Sequence, residues 1–563
     1  MRMWKNDKCQ NGSCHPEHSE GSRVFATEKA RDPSGFALRM TYGLTFLLFL
    51  AACRPAAKVP TELQSAGPTD TFVWNNYAEP ATVDPGLVQE NASHAISMQI
   101  FEGLTNYDPK TLEPVPGVAT RWEVSADGIV YTYHLRDTAK WSDGKPVTAK
   151  DFEYAWKRTL DPKTGAQYAF ILYFIKNAEE YNSGKLADAS KVGVKAIDPK
   201  TLRVTLKEPT PFFPQLTSFY TYAPVPRWAI ESWGEKWTRP EHIVCNGYYK
   251  LVSWIPQKEV LLEKNPFYWD AANVRIPKIK FLPIEDRETA LKMHLNGAVH
   301  YSEDIPSLKL PGMSKRPDFH NSVQLATYYY QLNITRKPLD DVRVRQALAM
   351  AIDRKQITAI MQKGDIPTTH LTPPMPGYEP PEGFPFDPVR AKELLTEAGY
   401  ADPKTFPSFS IVYNTSEDHK KIAELVQAMW KKNLGINVTL QNMEWKVLVS
   451  NYIAKNFEIG RMTWQGDFQD PFTFLSYMTA DNPQNGTHWS NPQYDDLVLN
   501  QSAREKNRAK RAQIMKQAES ILLQEAPIIP FYHLTRPFLL DPRVKGFYGN
   551  VMDMHPMKFV YFE

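Results

Sequence analysis

Residues Ser408–Trp464 read SFSIVYNTSEDHKKIAELVQAMWKKNLGINVTLQNMEWKVLVSNYIAKNFEIGRMTW, and their pattern indicates the fold class. Three strand-like runs, SFSIVY, INVTL and FEIGRMTW, alternate with two helix-like runs, EDHKKIAELVQAMWKKN and the stretch around Trp445 to Ala454. The first helix has one apolar face at helical spacing, formed by Ile422, Leu425, Val426 and Met429. This alternation predicts a parallel sheet covered by helices, in an α/β domain whose ligands gather at the carboxyl ends of strands.

The chain before this segment mixes strands and helices less regularly. Its strand-like runs are Ile129–Leu135, Thr201–Lys207 and Glu259–Glu263. Thr148 followed by Asp151 opens a helix with a capping-box-like start, and Asp387 with the following proline begins a helix that stops at Gly399. The earlier part of the chain, richer in hairpins and prolines, is typical of an α+β domain.

Composition excludes several classes of protein. The chain has 563 residues with 42% apolar side chains, which is enough for large buried cores and typical of neither a disordered chain nor a bundle of membrane spans. Lys and Arg number 66 against 63 Asp and Glu, and no basic block stands out, so nucleic acid is not an expected partner. Past Cys53 the only cysteine is Cys245, which excludes a disulfide framework and a cysteine-based zinc cluster.

The N-terminal region indicates the cellular location of the protein. Leu44–Leu50 reads LTFLLFL, too short to span a bilayer and suited to the apolar region of a secretory signal. With the following Ala-Ala-Cys it resembles a bacterial lipobox, so residues 40–52 are expected to be a lipoprotein signal peptide and Cys53 the lipidated first residue. The alternative is a signal peptide that is cleaved nearby without lipidation. Residues 1–39 are interpreted as doubtful upstream sequence and 53–70 as a tether, with the protein in the periplasm or on the outer face of the cell membrane.

Enzyme signatures are missing from the sequence. It contains no G-x-S-x-G, H-E-x-x-H, G-x-x-x-x-G-K, G-x-G-x-x-G or C-x-x-C motif. Most histidines of the mature chain stand without a second ligand three or four residues away, so no metal site is predicted. We therefore expect no enzyme, no catalytic residues and no cofactor.

Several ordered strings resemble the substrate-binding proteins of peptide ABC importers, solute-binding protein family 5. They extend from about Phe72 to the C-terminus. The runs that carry the resemblance are FEGL (Phe101–Leu104), PGVATRWEVSADG (Pro116–Gly128), WSDGKPVTAKDFEYAWKR (Trp141–Arg158), VGVKAID (Val192–Asp198), WGEKWTRP (Trp233–Pro240), NGYYKL (Asn246–Leu251), DDVRVRQALAMAIDR (Asp340–Arg354), LLTEAGY (Leu394–Tyr400), YNTSEDHKK (Tyr413–Lys421) and WKKNLGINVTL (Trp430–Leu440).

The resemblance implies an α/β, bilobal fold of the periplasmic-binding-protein type II-like class, with an additional inserted α+β domain. Lobe I would comprise residues 71–101, 228–325 and 535–563. The inserted domain would be 102–227, and lobe II would be 326–534. A short peptide would be buried between lobes that close by a hinge, and the protein, expected to be a monomer, would pass it to ABC transporter permease subunits.

The resemblance also implies peptide-binding residues. In the string Trp464-Gln465-Gly466-Asp467, Asp467 would receive the peptide α-ammonium; the alternative is a loop aspartate that caps a helix near Pro471. Strand alternation places Arg461 and Thr463 on one face and Trp464 on the other.

Arg461 and His419 match residues that meet peptide carboxylates. Arg461 has the alternative of pairing with a structural carboxylate, and His419 that of a solvated residue at a helix start. Asn414 lies in the same string as His419. A lysine that anchors some peptide lengths in the family falls on Gln362 here, with Lys363 adjacent, so the preferred length stays open.

Aromatic residues complete the expected site. Trp445 and Trp464 match residues that line side-chain pockets, and Tyr168 and Tyr329 match tyrosines near the ligand; the alternative for each is a place in the core. The ligand alternatives are a dipeptide, a murein peptide, a metal chelate or a signalling peptide. A peptide hydrolase is the alternative from another class of protein.

Overall fold

The structure is a computed structural model, and it describes residues 70–303, 305–482 and 484–563. The expected upstream sequence, the signal peptide, the lipidation site at Cys53 and the tether up to residue 69 lie outside the described residues. Across the described ranges, no helix combines the length and the apolar character that crossing a membrane requires.

Strands and helices are numbered in chain order. The strands are β1 (Thr71–Asn75), β2 (Thr105–Tyr107), β3 (Pro114–Pro116), β4 (Ala119–Val124), β5 (Val130–Leu135), β6 (Val194–Asp198), β7 (Thr201–Thr205), β8 (Tyr249–Ile255), β9 (Glu259–Lys264), β10 (Lys278–Leu282), β11 (Tyr301–Ser302), β12 (Phe319–Leu332), β13 (Ile366–Pro367), β14 (Ser410–Asn414), β15 (Thr439–Met443), β16 (Ile459–Gln465), β17 (Ile528–Leu540), β18 (Val544–Lys545) and β19 (Tyr561–Phe562). The helices are α1 (Asn91–Ile100), α2 (Ala149–Leu160), α3 (Ala178–Asn182), α4 (Phe213–Leu216), α5 (Arg227–Trp233), α6 (Arg287–Leu295), α7 (Leu310–Met313), α8 (Val342–Met350), α9 (Arg354–Met361), α10 (Pro388–Glu397), α11 (Glu417–Leu434), α12 (Trp445–Ile453), α13 (Phe472–Leu475), α14 (Pro492–Asp495), α15 (Ser502–Arg504) and α16 (Arg508–Glu525).

One large sheet runs through the molecule in the order β15-β14-β16-β12-β17-β11-β1-β10-β9-β8, with β13 beside β17. The predicted parallel part is confirmed, because β14 pairs in parallel with both β15 and β16. The sheet is mixed, since β12 pairs antiparallel with β16 and with β17. A second sheet, β4-β5-β7-β6, lies in the part of the chain that was expected to be an inserted domain.

Local signals correctly placed the starts of two of the predicted helices. Thr148 and Asp151 form the predicted capping box at the start of α2, and Asp387 caps α10 by accepting a hydrogen bond from the Arg390 N–H. The expected start of β15 at Ile436 is wrong by three residues, because the strand begins at Thr439. Ile436 is buried in a hydrophobic core before the strand begins to pair, which explains its apolar character.

Separate hydrophobic cores lie on the two halves of the large sheet. One core is continuous from β1 through the β4-β5-β7-β6 sheet, here called the inserted sheet, to the C-terminal segment. Two others lie on opposite faces of the other half, and alternate residues of β12 divide between them: Tyr328 and Tyr330 enter one and Tyr329 enters the other. The halves thus have their own interiors, as expected of a bilobal protein.

Strands β12 and β17 belong to both halves of the sheet. Their ladder is interrupted between Val323 and Thr327, where the register shifts. Leu325, inside the interruption, forms backbone hydrogen bonds with segments other than β17. Its N–H donates to the Val551 carbonyl at 2.8 Å, and its carbonyl accepts from the Gly466 N–H at 2.8 Å. The two lobes are therefore joined by strands whose pairing is interrupted between Val323 and Thr327 and shifts register again between Tyr328 and Tyr329.

Candidate functional site

The loop that follows β16 carries Asp467 and is fixed tightly to the interruption in β12. Besides the hydrogen bond from Gly466 to Leu325, the Asp467 N–H donates to the Thr473 Oγ1 at 3.1 Å. A Cβ on Gly466 would lie 2.7 Å from both Leu325 Cδ2 and Thr473 Cγ2, so only glycine allows this close approach. Gln465, the last residue of β16, is exposed.

Asp467 faces the inserted domain. The next residue, Phe468, stacks on Phe212 with 4.6 Å between the ring centroids and 9° between their planes. Burial raises the pKa of both Tyr168 and Tyr220, and the charge of Asp467 raises each further, which places this carboxylate beside the two phenols. Tyr168, half-buried, was expected near the ligand, whereas no local motif points to Tyr220.

The Asp467 carboxylate has no partner in the described part of the chain: no hydrogen bond or ion pair reaches either oxygen. Burial raises its pKa to about 6. The alternative role at the helix near Pro471 belongs to Asp470, which accepts from the Phe472 N–H at 2.9 Å and pairs with Arg511. A desolvated carboxylate without a partner suits a cationic ligand group.

Arg461 supplies a positive charge near the middle of β16. Its Nη2 donates to the Thr463 Oγ1 at 2.6 Å, which agrees with the expected placement of both side chains on one face. Its Nη1 lies 3.4 Å from the Asn414 Oδ1, and its guanidinium carbon lies 4.9 Å from the centre of the Tyr328 ring. The Arg461 Nε is buried without a partner, and no carboxylate within the described ranges forms an ion pair with this side chain.

His419 lies in the first turn of α11, with its ring 5.7 Å from that of Tyr328. Burial lowers its pKa to about 4, and the charges of Arg461 and Lys363 lower it further, against an opposing effect of Asp418. The imidazole is therefore neutral near pH 7, and its Nδ1 is buried without a partner. Arg461, rather than His419, carries the positive charge here.

The other predicted aromatic residues occupy different environments. Trp464 is half-buried, donates from Nε1 to the Thr473 carbonyl at 2.7 Å and lies 4.4 Å from the Tyr477 ring. Tyr329 is fully buried in the core, so its side chain presents no surface to a cleft in this conformation. Trp445 begins α12, and its side chain lies outside the described residues.

The structure thus forms two charged regions, one on strand β16 and one in the loop that follows it. Asp467 lies two residues beyond the end of β16 and Arg461 lies within it, so the chain between them spans at most about 20 Å. A carboxylate and a guanidinium at this spacing fit the two ends of a short extended zwitterion. No group of three or more potential metal ligands occurs among the described side chains.

Comparison with known proteins gives close relatives over most of the chain. The oligopeptide-binding protein OppA of Bacillus subtilis (strain 168) is 39% identical over 526 residues, which cover 90% of this chain and 96% of that protein. The unliganded open form of MppA, a periplasmic murein tripeptide-binding protein, matches with a TM-score of 0.82 at 37% identity, covering 88% of this chain and 98% of that one.

A second structure of MppA, from Escherichia coli, matches less closely. It matches with a TM-score of 0.68, again at 37% identity, and covers 88% of this chain and 99% of that one. The present structure is thus more similar to the unliganded open form of MppA than to this second MppA structure.

The sequence profile of the bacterial extracellular solute-binding proteins, family 5 Middle, matches residues 113–486. This range contains the inserted sheet, β12, β16 and both charged regions of the site. With the relatives above, the match shows that the chain belongs to the bacterial extracellular solute-binding proteins of family 5.

Proposed function

We propose that this chain captures short peptides between its two lobes and delivers them to the permease of an ABC importer. The observation that carries the proposal is the half-buried, unpaired Asp467 carboxylate in the loop after β16, the strand that carries Arg461, whose Nε has no partner. A peptide brings an ammonium at one end and a carboxylate at the other. The names of the family relatives as peptide-binding proteins support the same ligand class.

Two kinds of interaction contribute to binding: hydrogen bonds to the peptide backbone and ion pairs with the peptide termini. The backbone of an extended peptide pairs with protein backbone as an added strand, while hydrated pockets accept side chains of different sizes. Asp467 receives the ammonium, and Arg461 receives the carboxylate, for which a guanidinium is suited because it can donate two parallel hydrogen bonds. The backbone contacts provide affinity without sequence selection, and the charged ends fix the register.

Binding requires the lobes to close. We place the hinge at the interruption of the β12 and β17 ladder, between Val323 and Thr327, where fewer direct hydrogen bonds resist bending. Lobe I then comprises residues 71–101, 228–325 and 535–563, lobe II residues 326–534, and the inserted domain residues 102–227. Because the Gly466 N–H bonds to Leu325, the loop that carries Asp467 is attached directly to the hinge.

Replacement of Asp467 by alanine tests the proposal. We expect Asp467→Ala to weaken binding of tri- to penta-alanine by roughly 3–5 kcal/mol, because the ammonium would be buried without a counter-charge. Isothermal titration calorimetry measures the change, with Asp137→Ala, an exposed carboxylate of the inserted domain, as the control. An unchanged affinity in Asp467→Ala would contradict the assignment, and failure of all these peptides to bind the wild type would contradict the function.

The location is extracytoplasmic, and the finer proposal is a monomer anchored by a lipid on Cys53. The sequence Leu-Ala-Ala-Cys after an apolar run supports this anchor. We expect Cys53→Ser to move the protein from the membrane fraction to the soluble extracytoplasmic fraction and to abolish fatty-acid labelling. Labelling of the serine variant equal to that of the wild type would contradict lipidation at this position.

A further inference from the structure

A second cation lies near Arg461. Lys363, two residues after the end of α9, forms an ion pair with Asp418 in the first turn of α11. The side chains are 37% and 47% exposed respectively, so both are open to solvent and to a ligand. We refer to Arg461, His419, Lys363 and Asp418 as the basic cluster.

Electrostatic effects show that the members of the basic cluster are close together. Arg461, Lys363 and Asp418 all act on the pKa of His419, which burial lowers most. Burial raises the pKa of Tyr532, and the charges of Arg461 and Asp418 act on it as well. Tyr532 stacks on Tyr328 at 5.0 Å and 13°, and the Arg461 guanidinium lies over the Tyr328 ring.

The two cations of the basic cluster differ in availability. The Arg461 Nε is buried without a partner, and no ion pair to this guanidinium occurs in the described ranges. Lys363, in contrast, has its charge neutralised by Asp418. Another nearby carboxylate, Asp365, accepts from the Thr535 N–H at 3.0 Å and so is partly engaged with β17.

We infer that Asp418 determines ligand selectivity by occupying Lys363, so that Arg461 remains as the cation available to a ligand carboxylate. The inference rests on the proposed function, peptide binding, and adds a specificity-determining residue to it. A ligand whose carboxylate ends at Arg461 gains a charged partner. A ligand whose carboxylate extends to Lys363 must displace Asp418 and is repelled by it, which disfavours that length.

The test compares tri-, tetra- and penta-alanine with their C-terminal amides by isothermal titration calorimetry. For each length, the ratio of the two affinities measures what the protein gains from the carboxylate. In Asp418→Asn, we expect this ratio to increase roughly ten-fold for at least one length, because the freed Lys363 adds a charge-assisted hydrogen bond.

A double-mutant cycle identifies Lys363 as the origin of the gain. We expect Lys363→Met alone to change the ratio little, since Asp418 already neutralises the lysine, and we expect Asp418→Asn with Lys363→Met to lose the gain. Glu288→Gln is the control, because it breaks a comparably exposed ion pair, with Lys309, outside the site.

Two outcomes would overturn the inference. One is an unchanged ratio at every length in Asp418→Asn. The other is a gain that persists in the double variant, which would show that Asp418 acts on Arg461 through space. Both outcomes can be observed only if the wild type binds peptide. If the wild type binds none of the peptides, the proposed function is refuted instead, and this result is distinguishable from failure of the inference about Asp418.

Discussion

At the scale of single residues, the unpaired Asp467 has a thermodynamic cost in the empty protein. Its pKa is raised by burial from 3.8 to about 6, so between these values the folded chain holds a proton that the unfolded chain releases. The contribution of this group to stability is therefore lost as the pH rises through that window. In the proposed complex, the peptide ammonium would remove this cost by pairing with the carboxylate, so we expect ligand to restore part of the stability.

The same group predicts how peptide affinity depends on pH. Pairing with the ammonium lowers the pKa of Asp467, so binding below about pH 6 must release a proton, and affinity should fall by up to roughly ten-fold for each pH unit below that value. Titration calorimetry with tri-alanine between about pH 4.5 and pH 7.5 measures this limb, staying below the range in which the α-ammonium itself deprotonates. In Asp467→Asn, the loss of affinity at acidic pH should disappear. If that variant shows the same loss of affinity, another titrating group is responsible for it.

Some of the residue-level site could be predicted from sequence, but its pairing could not. The sequence placed Arg461 and Thr463 on one face of a strand, and their hydrogen bond agrees with it. Local spacing carries no information on which carboxylate lies beside Lys363, because Asp418 is distant in the chain. The full burial of Tyr329 likewise depends on helices that pack over β12.

At the scale of elements, the contact between the loop after β16 and strand β12 determines the position of Asp467. Gly466 is buried there, with a Cβ excluded by Leu325 and Thr473. Both neighbours are packed, so neither can move without disturbing the interruption in β12. This packing fixes the position of Asp467, the proposed ammonium-binding residue, relative to the proposed hinge.

Replacement of Gly466 by alanine should therefore affect both stability and binding. We expect Gly466→Ala to lower the free energy of unfolding by about 1–3 kcal/mol through overpacking and to weaken peptide binding, because Asp467 shifts with the loop. Chemical denaturation and calorimetry measure the two effects. Gly312→Ala is the control, since no atom lies within 4 Å of its added Cβ; equal behaviour of the two variants would contradict this account.

The elements that sequence predicted best are those governed by local rules. The apolar periodicity of α11 and the caps of α2 and α10 depend on neighbours a few residues apart, and the structure confirms them. The pairing of β12 with β17 joins distant parts of the chain, and neither alternation nor propensity specifies such a partner. The strands that join the lobes were therefore the part of the fold least accessible from sequence.

At the scale of the whole molecule, the similarity to an unliganded open form and the proposed hinge predict a change of shape on binding. We expect saturating tri-alanine to decrease the radius of gyration measured by small-angle X-ray scattering, because the lobes close over the peptide. In Asp467→Asn the same peptide concentration should give little or no decrease, since the peptide binds weakly. A wild-type protein that binds tri-alanine without any change in scattering would contradict closure.

The adjacency of β12 and β17 has a consequence for how such proteins diversify. The chain enters the second lobe through one of these strands and leaves through its hydrogen-bonded neighbour, so both crossings lie side by side. The segment of chain between β12 and β17 therefore begins and ends at neighbouring positions. Domains whose two ends lie close together are the ones that tolerate insertion into another chain. Recombination at these two strand crossings would exchange β16, Arg461 and Asp467 together, and so transfer both of the proposed ligand-binding charges between relatives in one step.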